Sequence, residues 1–286
     1  MKTTVMRYRQ MGERDIRRYL PIRPRESHKG SYGKVLMLCG STGFTGAARL
    51  AAKAAMRTGS GLVFLGVPEA VYPIVAGGLE EPVVFPLPCD ADGRLSEVAI
   101  PAILERLRGV NVVLAGPGLG QSPGVLAVIR AILEHSRVPV ILDADGINVL
   151  RGHMDMVNRA SVILTPHDGE FARIYDGPAM ERGAETMELA RACGGIVLRK
   201  GHRTLISDGR TIYRNTTGNP GMAKGGSGDV LSGIIASLVG QKVPPLEATA
   251  LGAWIHGAAG DLAADRLGEY GVLPSDLIEA IPMILK

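Results

Sequence analysis

Lys34 to Gly59 reads KVLMLCGSTGFTGAARLAAKAAMRTG. Its first six residues, Lys34 to Cys39, form a compact apolar run that predicts a buried strand. A glycine-containing loop, GSTGFTG, follows, and then an alanine-rich helix that Gly59 closes. Strand, glycine loop and helix in that order make the first half of a βαβ unit. The loop lies at the carboxyl end of the strand, where open α/β sheets place their ligands.

The alternation continues downstream. Leu62 to Val67 predicts a strand, Glu69 to Val75 a short helix, Val83 to Phe85 a short strand and Ser96 to Leu107 a helix. Val112 to Ala115 predicts a strand ending in GPGLGQ, Pro123 to His135 a helix, Pro139 to Leu142 a strand ending in DADG, and Ser161 to Leu164 a strand ending in TPHDGE. This pattern predicts an α/β protein with a mostly parallel sheet covered by helices on both faces. From Ile196 the texture changes. IVLRKG and RTLISDGRTIYRN alternate around Asp208-Gly209, a pair suited to a tight hairpin, which predicts a small antiparallel portion. Two helices, Pro245 to Arg266 and Pro274 to Leu285, complete the chain. Upstream, a short polar helix, Glu13 to Leu20, and the linker PIRPRES lead into the first strand. With no long linker, low-complexity tract or repeat, residues 1–286 read as one domain, of which 1–26 are the N-terminal helix and linker.

The 286 residues, 46% of them hydrophobic, suffice for a large core. A net charge of +4 is too mild to argue for nucleic acid. The arginines between Arg7 and Arg25 are interspersed with Glu13 and Asp15, as on a solvated helix. Aromatic residues make up only 4%, leaving few platforms on which bases could stack. Cys39, Cys89 and Cys193 match neither a disulfide framework nor a metal-ligand spacing, which points to a reducing, cytoplasmic setting. No stretch approaches the ~20 uninterrupted apolar residues of a membrane span, and the N-terminus lacks the apolar core of a signal peptide. The expectation is a soluble protein with neither nucleic acid nor membrane as partner.

The chemistry concentrates in Gly218 to Gly233, GNPGMAKGGSGDVLSG. Gly225, Gly226, Ser227 and Gly228 run straight into a helical segment, so several backbone N–H groups can face one anion where the helix dipole also favours it. Asp229 stands on the rim of that phosphate cradle. It either caps the helix or serves as a base or as a metal or substrate contact, because an acid beside bound phosphate costs electrostatic energy. Asp143 and Asp145 in DADGIN could hold Mg²⁺ through water, or Asp145 could cap the next helix. In TPHDGE, Thr165 reads as an N-cap, Pro166 as the first helical turn and Asp168 as an acid near the helix start, which leaves His167 unexplained. GPGLG lacks the GxGxxG spacing because Gln121 stands where glycine is required, and Ala223 spoils a Walker A reading of Gly218 to Ser227. There is no GxSxG elbow.

Taken in order, SHKGSYGKVLMLCGS, GAARLAAKAAMRTGSG, AGPGLG, VILDADGIN, ILTPHDGEF, VLRKG and GNPGMAKGGSGDVLSG resemble the successive motifs of the NAD(P)H-hydrate dehydratases of the ribokinase-like superfamily. The resemblance runs from about Ser27 to the C-terminus. It implies a three-layer α/β/α sandwich and a repair reaction that returns hydrated NADH or NADPH to the working cofactor. That reaction consumes ADP or ATP, with Mg²⁺: a phosphoryl group passes to the substrate hydroxyl and the ester then eliminates. By resemblance Asp229 is the base and a substrate contact. Lys200, Gly201, His202, Arg203 and Thr204, with Gly228, contact the adenine nucleotide, and the N–H groups of Gly225 to Gly228 hold the transferred phosphoryl. Ala47, or its neighbour Ala48, lines the hydrate site with Gly118 and His167. DADGIN departs mildly from the family pattern, with Gly146 and Ile147 where relatives show alanine and leucine. The resemblance also implies a homo-oligomer, up to a tetramer. No epimerase domain is expected in this chain, so a separate epimerase would act in the same pathway. A vitamin-precursor kinase of the same superfamily, or a nucleotide sensor without turnover, could use the same cradle; Asp229 argues against the sensor.

Overall fold

The structure, a computed structural model, describes residues 6–157 and 161–286. Its centre is a nine-stranded sheet in the order β3-β2-β1-β4-β5-β6-β7-β8-β9. The strands are β1 (Lys34–Leu38), β2 (Leu62–Pro68), β3 (Val83–Leu87), β4 (Val112–Ala115), β5 (Val140–Leu142), β6 (Val162–Leu164), β7 (Ile196–Arg199), β8 (Leu205–Ser207) and β9 (Ile212–Arg214). Pairing is parallel from β3 through β7 and antiparallel from β7 to β9.

Burial on both faces explains the unbroken apolar runs. In β1 the pleat sends Val35 and Met37 to one face and Leu36 and Leu38 to the other, and all four are fully buried. The first face packs against α2 (Thr45–Arg57), α9 (Ser227–Gly240), α10 (Pro245–Gly271) and α11 (Pro274–Ile284). The second packs against α4 (Ile100–Leu107), α5 (Pro123–His135), α7 (Asp168–Ile174) and α8 (Arg182–Cys193). Short helices α1 (Glu13–Tyr19), α3 (Tyr72–Ala76) and α6 (Asp145–Asn148) complete the set. The result is the three-layer α/β/α sandwich expected of the sequence.

The alanine-rich α2 and small-residue α9 cross closely: a Cβ on Gly233 would lie 2.3 Å from the Ala51 carbonyl oxygen. A side chain there would force the two helices apart.

Several local expectations are corrected. Glu69 to Val75 is not one helix but a 3₁₀ turn, Glu69–Val71, running into α3. The hairpin is not a two-residue turn: Asp208 to Thr211 all lie outside the strands, and Asp208 Oδ1 accepts the N–H groups of Arg210 and Thr211 at 2.9 and 2.7 Å. α10 continues to Gly271, past a break at Gly268. α8 was not anticipated at all, because its buried side, Gly183, Thr186, Leu189, Ala190 and Cys193, has helical spacing but few large apolar residues. Upstream of α1, Arg9 lies parallel to β9, donating its N–H to the Ile212 carbonyl and accepting that of Arg214, both at 2.9 Å. All three cysteines are free thiols. Among the described residues no helix is long and apolar enough to cross a membrane.

Candidate active site

The strand order reverses between β1 and β4. The chain moves outward from β1 to β3, returns to β4 beside β1, and then proceeds the other way. Open α/β sheets carry their ligand crevice at such a switch point. Here the two loops are stitched together: Gly40 N–H donates to the Pro117 carbonyl at 2.8 Å, and Ser41 Oγ to the Gly118 carbonyl at 2.7 Å. A Cβ on Gly118 would come within 3.0 Å of the Ala47 Cβ, so these two expected hydrate-site residues are neighbours. Ala47 is partly accessible, whereas Ala48 is fully buried beneath Gly40. Of the two alanines, Ala47 can border a ligand.

The loops after β5, β6 and β7 form a second network. Asp143, at the end of β5, is buried, and its Oδ1 receives Lys200 Nζ at 2.7 Å and the Thr165 hydroxyl at 2.8 Å. Lys200 Nζ also lies 3.6 Å from Oε2 of the buried Glu170. Burial works against the charge on Lys200, but Asp143 and Glu170, with a smaller contribution from Asp229, hold its ammonium above the usual value. Asp145 is not a helix cap; it is the first residue of α6, and its carboxylate accepts Gly120 N–H at 2.8 Å and Asn148 Nδ2 at 3.2 Å.

Nor is Thr165 the cap of α7. That position belongs to His167, whose Nδ1 accepts the N–H groups of Gly169 and Glu170 at 2.9 and 3.2 Å. The Thr165 hydroxyl instead serves Asp143, which ties β5 to β6. Because Nδ1 is an acceptor, the neutral ring carries its proton on Nε2, 3.5 Å from Glu170 Oε1. Glu170 Oε2 accepts the His167 N–H at 2.8 Å and closes the capping box.

The expected nucleotide loop, Lys200 to Thr204, follows β7. His202 and Arg203 are exposed, while the Lys200 ammonium turns inward to Asp143, so a nucleotide would meet this loop chiefly through its backbone and the residues after Lys200. Arg182, on α8, clasps the loop by donating to the carbonyls of Lys200 at 2.8 Å, Arg199 at 3.3 Å and Arg203 at 3.5 Å. The Thr204 hydroxyl donates to the Gly201 carbonyl at 2.9 Å. No motif in the sequence marks Arg182; its role is visible only once α8 is in place.

The cradle lies at the start of α9. Gly226 is its N-cap with φ of 99°, a left-handed conformation that glycine adopts without strain. The first-turn N–H groups lie at the helix end, that of Ser227 donating to the Lys224 carbonyl at 3.2 Å, and a Cβ on Gly225 would meet nothing within 4 Å, so the space beside Gly225 is open. Ser227 is spoken for, its hydroxyl donating to the Met222 carbonyl at 2.7 Å. Lys224 is likewise anchored, donating to the Tyr270 carbonyl at 2.8 Å and to that of Val272. A Cβ on Gly228 would stand 3.5 Å from Lys200 Nζ, which brings the cradle and the β5 to β7 network into contact.

Asp229 completes the junction. Among the described residues nothing donates a hydrogen bond to its carboxylate, so the capping reading fails. Burial first, and then the nearby Asp143, raise it from the ordinary carboxylate range to about 7; Lys200 opposes the shift and Asp145 adds to it. Such a carboxyl gives up and takes back a proton near neutrality. Two neighbours are unsuited to that exchange: burial, then Asp229 and Asp143, push the Cys39 thiol well up, and burial drives His256 down to about 4, leaving it neutral with Nε2 unpartnered.

The described residues contain no cluster of three His, Cys, Asp or Glu able to hold a metal. Asp145 has protein donors on both carboxylate oxygens, and Asp143 has two on Oδ1.

The model of the NAD(P)H-hydrate dehydratase family matches residues 35–283. The chain belongs to that family. It is 42% identical over 278 residues to a bifunctional NAD(P)H-hydrate repair enzyme of Moorella thermoacetica, a match covering 94% of this chain and 52% of the relative. It spans about half the length of the bifunctional curated relatives it matches. An ADP-dependent (S)-NAD(P)H-hydrate dehydratase of Neisseria meningitidis is 37% identical, covering 90% of this chain and 86% of that protein. The fold matches a ribokinase-like protein of Enterococcus faecalis with TM-score 0.86 at 26% identity, covering 97% and 95% of the two chains. It also matches the ADP/ATP-dependent NAD(P)H-hydrate dehydratase of Bacillus subtilis, co-crystallized with ATP/Mg²⁺, with TM-score 0.82 at 30% identity and 98% of each chain covered. Family membership and the ribokinase-like architecture implied by the ordered motifs are therefore both established.

Proposed function

We propose that this chain dehydrates the hydrated forms of NADH and NADPH at the expense of a nucleoside diphosphate or triphosphate. The observation that carries the reading is the Asp229 carboxyl: half-buried, without a hydrogen-bond donor among the described residues, raised to about 7, and set in the first turn of a helix with open space at Gly225. An acid held in that state beside a phosphate cradle suits a base for phosphoryl transfer.

In the first step Asp229 takes the proton of the substrate hydroxyl. The hydroxyl oxygen forms a bond to the terminal phosphorus, and the bond from that phosphorus to the bridging oxygen breaks, its electron pair leaving with AMP from ADP or with ADP from ATP. The N–H groups of Gly225, Gly226 and Gly228 hold the charge on the transferred group, that of Ser227 being taken by the Lys224 carbonyl, and Lys200 supplies a positive charge beneath them. In the second step the carbon–oxygen bond of the ester breaks, phosphate departs with the electron pair, and the adjacent ring carbon gives a proton to solvent water as the double bond is restored. Mg²⁺ bound with the nucleotide would supply positive charge against the phosphates, and the carboxylates of Asp143 and Asp145 would be its nearest protein contacts, through water. Ala47, Gly118 and His167 border the hydrate, and Gly201 to Thr204 the adenosine portion. The ADP dependence of the Neisseria relative favours ADP as the co-substrate.

Purified protein given NADPH hydrate, ADP and Mg²⁺ should restore the near-ultraviolet absorbance of NADPH and release phosphate and AMP in equal amounts. Failure with both ADP and ATP would remove the proposal, and a stable phosphorylated product would transfer the site to a kinase.

A further inference from the structure

Glu170 has no part in the chemistry above, yet it is buried to 4% exposure and its carboxylate lies between His167 and Lys200. Oε2 accepts the His167 N–H at 2.8 Å and stands 3.6 Å from Lys200 Nζ; Oε1 faces His167 Nε2 at 3.5 Å. One carboxylate therefore touches a residue bordering the proposed hydrate pocket and the cation under the nucleotide cradle. The backbone repeats the link, since Lys200 N–H donates to the Pro166 carbonyl at 2.8 Å. Beyond Lys200 the chain of contacts runs to Asp143 at 2.7 Å and Thr165 at 2.8 Å, and to Gly228, whose Cβ would lie 3.5 Å from the ammonium.

We propose that Glu170 is a positioning residue that couples the two pockets, so that filling the nucleotide side fixes His167 for the hydrate and filling the hydrate side fixes Lys200 for the phosphate. The inference rests on the dehydratase reading, since that reading supplies the two ligands. A buried carboxylate with two partners cannot serve one in a new position without changing its geometry toward the other, because each lost contact leaves a desolvated polar group unpaired. By linkage the effect is reciprocal: whatever hydrate binding does to nucleotide affinity, nucleotide binding does to hydrate affinity.

The test measures binding without turnover. In an Asp229→Asn background, ADP affinity is determined by calorimetry with and without saturating NADPH hydrate, and the hydrate is expected to tighten ADP by about fivefold or more. Glu170→Gln keeps an oxygen for the His167 N–H but removes the charge shared with Lys200. It is expected to bring the coupling to within about twofold of unity, with Glu170→Asp partly restoring it. Undiminished coupling in Glu170→Gln, with both ligands still binding, overturns the proposal and leaves the dehydratase reading intact. Absence of hydrate binding in the parent protein removes both. A second measurement needs no substitution at 170: adding ADP alone to the unaltered protein should shift the His167 ring resonances, assigned by comparison with His167→Gln, and Glu170→Gln should abolish that shift. Unmoved resonances overturn the proposal just as plainly.

Discussion

Two aspartates stand at the centre of this molecule, and their surroundings set them to opposite tasks. Asp143, at the end of β5, has a lysine at 2.7 Å and a hydroxyl at 2.8 Å, so its charge is matched and its rotamer fixed. Asp229, in the first turn of α9, feels the same lysine only at longer range, receives no hydrogen bond among the described residues, and sits at about 7. A carboxylate whose partners are supplied is a structural anion; one left desolvated beside an anion of its own sign becomes a proton acceptor near neutral pH. The difference lies in what the neighbouring strands deliver: β6 and β7 bring Thr165 and Lys200 to Asp143, whereas α9 brings Asp229 only backbone.

The contrast can be broken from either side. Asp229→Asn should lower turnover by at least about a hundredfold while ADP still binds; steady-state kinetics with calorimetry checks it, and near-normal turnover would strip Asp229 of its role. Lys200→Met should leave Asp143 and Glu170 buried without their cation and cost about 3–5 kcal/mol of stability, read as a lower urea midpoint at unchanged slope. The gentlest intervention moves a pH profile. Because Asp229 must be ionised to accept a proton and is raised to about 7, kcat/KM should fall as the pH drops below about 7 and be level above it. Asp143 contributes to that raise, so Asp143→Asn should displace the acid limb to lower pH; an upward displacement would show that Asp143 acts on Asp229 through Lys200 rather than by its own charge.

Much of this was legible in the sequence, for reasons that differ from element to element. The buried parallel strands announce themselves as apolar runs because both faces are covered, and β4 and α5 fall on the expected residues. α8 was hidden because Gly183, Thr186 and Cys193 occupy its buried side, and with it went Arg182. Among site residues, the glycine cradle and Asp229 could be read from local chemistry, since glycines before a helix followed by an acid need no distant partner to be interpreted. Glu170 could not. In the sequence it is one acid in a helix start, and only the convergence of β6 and β7 sets it between His167 and Lys200. The same applies to Lys200, whose expected contact with nucleotide gave no hint that its ammonium turns inward to an aspartate 57 positions away. Thr165 shows the reverse error: its pattern fits a cap so well that the competing partner, Asp143, had to be seen to be believed.

The two margins of the sheet carry a consequence for the life of the protein in a crowded solution. An edge strand with free N–H and C=O groups is a template on which another chain can extend the sheet. On one margin Arg9 occupies β9 with two backbone hydrogen bonds; on the other, β3 contains Pro86, which has no N–H to offer. Neither side presents an uninterrupted ladder. The nine strands that position the candidate-site loops are thereby kept from recruiting a tenth, and the protein can hold a broad, largely apolar sheet without its becoming a seed for aggregation.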